Sequence, residues 1–103
     1  MTAHLPELNA RVRLVKSYDA DYATILPGVT GTVVKSNSDG ITLKLDRDQA
    51  DANAAASIAS FVEAYGAFEA TLDDGSAAIY FYDGSGYGHD TAVEEFADIT
   101  EII

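Results

Sequence analysis

Polar and apolar residues alternate at the start of the chain, from Arg11 to Lys16. Val12 and Leu14 fall on one side and Arg11 and Arg13 on the other, which predicts a half-buried strand. Residues 17–27 read as a polar loop carrying Tyr18 and Tyr22. Pro27-Gly28 is a turn signal, since proline presets φ and glycine accepts a positive one. Gly31, just ahead of a β-branched run to Lys35, predicts a bend or a close backbone approach. Asp39-Gly40 suits a hairpin turn. The return strand runs over residues 41–46, with Ile41, Leu43 and Leu45 on one face and Thr42 and Lys44 on the other.

The period then changes. Ala54, Ile58, Phe61, Val62 and Tyr65 make one helical stripe, which places a helix near 49–65. Asp46 or Asp48 is the expected N-cap, Asp51 favours the first turn, and Gly66 is the expected stop. Phe68, Ala70 and Leu72 alternate with polar residues and predict a strand, with a turn at residues 73–76 and a partner strand at 77–82. That partner is apolar on both faces, so it is expected to be central or covered by the helix. A glycine-rich loop spans 83–90. Thr91 and Glu94 have capping-box spacing and open a short helix near 91–97. Ile99, Ile102 and Ile103 are expected to supply a closing strand beside the first one.

At 103 residues with 48% hydrophobic content, the chain is long and apolar enough for one domain with a real core over residues 1–103. The absence of cysteine excludes disulfides, thiolate metal sites and a cysteine nucleophile. No secretory pattern opens the chain and no stretch of 18 apolar residues occurs, so a cytoplasmic protein with no membrane partner is expected.

Charge sharpens the picture. All six basic residues lie within residues 1–47, where five acids leave a net +1. Residues 48–103 hold the other 12 acids and no Lys or Arg, hence −12. Such a surface repels nucleic acid and attracts basic surfaces. Salt adaptation or a merely solvated acidic face would produce the same composition.

Residues 11–46 form a recognisable pattern. Arg11-Val-Arg-Leu-Val15, a polar loop, Leu26-Pro-Gly-Val-Thr-Gly-Thr-Val-Val34 and a hairpin into Ile41-Thr-Leu-Lys-Leu-Asp46 resemble the opening of SH3-like small β-barrels. The likeness is to small bacterial and phage barrels of uncharacterised role, and more distantly to KOW-type barrels and nitrile hydratase accessory domains. Residues 94–99 resemble the helical turn before the last strand of such barrels. The resemblance implies a mainly β, α+β fold: a small antiparallel barrel, here with a helix inserted near 49–65. KOW-type barrels usually bind RNA or ribosome-associated partners; the net charge of −11 argues against direct nucleic-acid binding here.

Little else suggests chemistry. His89 with Asp83, Asp90 and Glu94 is a loose cation set, short of zinc ligands, and a capped loop explains the same residues. Residues 35–46 approach an EF-hand loop but carry Lys35 where the first ligand belongs, and a hairpin accounts for them. Residues 84–88 lack the Lys-Ser/Thr of a phosphate loop. No nucleophile elbow is present. No enzyme, metal or cofactor is therefore expected.

The expected function is a non-enzymatic interaction module that binds a basic or mixed protein surface through its acidic C-terminal half. Aromatics beside acids suit a partner's Arg or Lys. The expected partner-binding residues are Tyr82, Asp83, Tyr87, Asp90, Glu94 and Glu95, with Asp73 and Asp74 as rim charges. The alternative is an acidic nucleic-acid mimic, of phage, plasmid or immunity type, that inhibits a nuclease or DNA-binding protein. The oligomeric state is left open.

Overall fold

Val12 and Leu14 are fully buried between the exposed Arg11 and Arg13, so strand β1 (Arg11–Leu14) forms as its alternation requires. The computed structural model describes residues 5–37, 39–82 and 90–103, with the backbone alone at Tyr82, Asp90 and Thr91. Within residues 17–27 the chain makes a small hairpin of β2 (Tyr18–Asp19) and β3 (Thr24–Ile25), where a plain loop was expected. Ile25 is fully buried and anchors that hairpin to the core.

β4 (Thr30–Asn37) and β5 (Gly40–Leu45) form the expected hairpin, and Gly40 has a φ of 141°. Val34 is the extra residue of a bulge between Val33 and Lys35 and points outward. Ile41, Leu43 and Leu45 are buried as their spacing predicts, and Thr42 on the other face is buried too.

Helix α1 (Ala52–Tyr65) starts later than expected. Its N-cap is Asp51, whose carboxylate accepts from the N–H groups of Asn53 and Ala54, so neither Asp46 nor Asp48 caps it. Gly66 ends it with a φ of 82°, as expected. Ala54 and Phe61 are buried; Ile58, Val62 and Tyr65 are half-buried along the same stripe.

The expected strand over 68–72 does not form. Residues 67–70 instead make a single helical turn, α2 (Ala67–Ala70), which buries Ala70 and leaves Phe68 exposed. Only Thr71 and Ala77 pair across the following turn. β6 (Ala78–Tyr82) pairs instead with β5, with Thr42 opposite Tyr80. The open edge of β5 offers β6 a full ladder, and the short 68–72 segment offers only a fragment. β6 is therefore an outer strand, not a central one.

Helix α3 (Asp90–Ile99) begins one residue before Thr91 and runs two past the expected end. It buries Ala92, Val93, Phe96 and Ile99. β7 (Thr100–Ile102) then pairs antiparallel with β1 as expected, but of the three isoleucines only Ile102 belongs to it, since Ile99 ends α3 and Ile103 follows the strand. The main sheet has the order β6-β5-β4-β1-β7 and is antiparallel throughout. Among the described residues the fold is thus mainly β with three helices, and one apolar cluster joins the sheet, the β2–β3 hairpin, α1 and α3. Among the described residues no helix is long and apolar enough to cross a membrane.

Candidate functional site

The amphipathic pattern of α3 turns Glu94, Glu95 and Asp98 outward while Val93 and Phe96 face the core. Glu94 and Glu95 thus lie exposed on one helix. Tyr82 ends β6 opposite Gly40, and Asp90 opens α3. Asp83 and Tyr87 lie outside the described residues, as does His89 of the loose cation set. Asp73 and Asp74 occupy the turn that leads into the start of β6, while Tyr82 is at its end. Four steps of strand rise separate the two ends by about 13 Å. The structure therefore sets Asp73 and Asp74 apart from Tyr82.

Asp74 is also engaged. Lys44 Nζ lies 2.8 Å from its carboxylate, and the Ser76 N–H donates to it at 2.9 Å. The Lys44 hydrogen bond, helped by Ser76, holds the Asp74 carboxyl well below the usual carboxylate range.

Three further cations pair with acids. Lys16 meets Asp98 at 2.9 Å and Arg13 meets Glu101. Arg11 grips Asp46 with both terminal guanidinium nitrogens, Nη1 and Nη2, at 2.6 and 2.7 Å. Thr30 Oγ1 donates to the same carboxylate at 2.6 Å. Gln49 locks this cluster to the backbone: its Oε1 accepts the Thr30 N–H at 2.9 Å, and its Nε2 donates to the carbonyls of Thr30 and Asp46. The Arg11 hydrogen bond, ahead of an opposing effect of burial, lowers the Asp46 pKa.

That cluster makes a pH prediction. A carboxylate with a depressed folded pKa stabilises the fold above its unfolded pKa of about 3.9, and the contribution disappears as pH falls through the folded value. Asp46→Asn is therefore expected to cost about 1–2 kcal/mol near neutrality. The difference from wild type should shrink below about pH 4. Urea melts of both proteins from pH 7 to pH 2.5 check this, and a pH-independent gap would mean that the carboxylate charge is immaterial.

A second feature was not anticipated from the sequence. Tyr18, Phe61, Tyr65, Phe68, Glu69 and Tyr80 line an open cleft of about 540 Å³ between the β2–β3 hairpin, α1, α2 and β6. Phe61 and Tyr65 stack at 4.9 Å with a 38° tilt, and Tyr18 meets Phe61 edge-on at 6.2 Å. Tyr22 lies over Tyr65 at 5.5 Å, and its N–H donates to the Tyr65 hydroxyl at 3.1 Å. One signal for the cleft was present: Tyr65, at the end of the helical stripe, is followed after Gly66 by Phe68-Glu69. The alternation at 68–72 assigned Phe68 to a strand and hid it.

Among the described residues no group of three or more His, Cys, Asp or Glu could hold a metal ion. Comparison with protein-family models, with curated proteins and with solved structures found no match.

Proposed function

We propose that the chain is a non-enzymatic interaction module of the SH3-like small-barrel type, which binds a basic or mixed protein surface through its acidic C-terminal half. The carrying observation is how charge is distributed after folding. Arg11, Arg13, Lys16 and Lys44 are each tied to an acid. Glu63, Glu69, Asp73, Glu94 and Glu95 are exposed, with no ion pair among the described residues. The negative field of the second half is thus left for a partner to neutralise.

The barrel reading is supported by β1 lying between β4 and β7, by a hairpin in the first long connection, and by a helix directly before the last strand. A fold of this type does not select a partner; the charge does.

Affinity capture at low and at near-physiological salt tests the proposal, using wild type and an E94K/E95K variant. We expect a captured protein that is lost as salt rises and is not retained by the variant. Capture that survives both salt and charge reversal would overturn the acidic-face reading. Capture of a basic nuclease or DNA-binding protein would direct the reading to the inhibitory mimic.

A further inference from the structure

We propose that the aromatic cleft takes an arginine side chain of the partner protein; this rests on the reading above and gives it a specific contact. The cleft combines features that a neutral apolar ligand would not require. Five aromatic rings line it, together with Glu69, and among the described residues no basic one does. Phe68 is 99% exposed, and Tyr22, tilted against Tyr65 at the rim, is 77% exposed. Single exposed aromatics are ordinary, but two exposed rings beside four more at one cleft form a surface of the kind that partners cover.

Charge complementarity selects the occupant. Ring faces attract a cation, and the attraction strengthens as the site is desolvated. A carboxylate at the edge of the rings gives that cation a counter-ion and a hydrogen-bond acceptor. A guanidinium suits both at once, because it is flat enough to stack on a ring and presents a fork of donors to a carboxylate. An anionic ligand would meet Glu69 within a chain of net charge −11. The arrangement depends on α1 and α2: Phe61 and Tyr65 come from one, Phe68 and Glu69 from the other.

The test titrates the full chain with a capped pentapeptide carrying one arginine between two leucines. A second titration uses the citrulline counterpart, which has the same shape without the charge. Ring resonances are followed by NMR. We expect saturable shifts at Phe61, Tyr65 and Phe68 with the arginine peptide, and at least fivefold weaker binding of the citrulline peptide. E69Q should weaken arginine binding at least fivefold, and F68A should abolish it. Both residues are exposed, so neither variant should disturb the core, and unchanged amide spectra away from the cleft will verify that.

Equal binding of the citrulline peptide, or arginine binding untouched by E69Q, overturns the inference. So does an arginine peptide that perturbs only Glu94 and Glu95, and that result leaves the acidic-face reading standing. The reverse pattern, with cleft binding intact and capture insensitive to E94K/E95K, removes the acidic-face reading and keeps the cleft.

Discussion

Replacing Phe81 with alanine is expected to destabilise the fold by about 3–5 kcal/mol. Phe81 is only 1% exposed. Its ring meets Tyr18 edge-on at 5.8 Å and Phe96 at 5.4 Å with an interplanar angle of 85°. Edge-to-face pairs of this kind add about 0.5–1.5 kcal/mol each beyond area burial. The same ring joins β6 to α3, which follows it in the chain, and to β2, about 60 residues earlier. Alanine would leave a void that all three border. For a domain whose total stability is about 5–15 kcal/mol, such a loss places folding itself at risk. Phe81→Leu keeps most of the volume and should cost clearly less. Urea denaturation of both variants, followed by circular dichroism, gives the comparison. An alanine cost below about 1 kcal/mol would show that this ring does not tie the three elements together.

Phe81 also shows what the sequence made legible and what it concealed. The run at 77–82 announced a strand with two apolar faces, and burial of Ala78, Ile79 and Phe81 agrees. Its partner could not be read locally. The nearest alternation, at 68–72, looked like the other half of a hairpin, yet β5, more than 30 residues earlier, holds the ladder. Strand pairing is decided by which edge is open, and that depends on the whole sheet.

The N-terminus of α1 teaches the same lesson. Asp46 has the right chemistry for a cap, but Arg11 and Thr30 already occupy its carboxylate. Gln49 is bound to the Thr30 backbone, so the helix can begin only after residue 49, and Asp51 caps it. Where local periodicity and local partners sufficed, as for β1, the β4–β5 hairpin and the stripe of α1, the elements were legible. The cleft was not, because its rings come from four elements whose proximity only the tertiary fold creates. The acidity was legible as composition, and folding divided it: Asp74 and Asp98 hold cations while, among the described residues, Glu94 and Glu95 hold none.

Gly31→Ala is expected to cost about 2–3 kcal/mol, for a reason unrelated to backbone strain. A Cβ added at residue 31 would lie 2.6 Å from the Lys44 carbonyl oxygen and 3.1 Å from Leu43 Cδ1. A leucine methyl can move; a strand carbonyl cannot move without its ladder. β4 is held on both sides at this point, with Gly31 opposite Val12 in β1 and Leu45 in β5. Relief of the clash therefore means parting β4 from β5 or sliding the register, and a one-residue slip would turn Ile41, Leu43 and Leu45 away from the core. Gly28 supplies the contrast. It has a φ of +97° and nothing within 4 Å of an added Cβ. Alanine there meets only the left-handed penalty of about 1–2 kcal/mol, with the sheet undisturbed. The two variants should differ in kind as well as size. Amide exchange in β4 and β5 should accelerate in Gly31→Ala beyond what global destabilisation explains, and in Gly28→Ala only in proportion to it. If Gly31→Ala costs less than Gly28→Ala and leaves β4–β5 exchange unchanged, the close approach of the two strands at residue 31 is not what requires glycine.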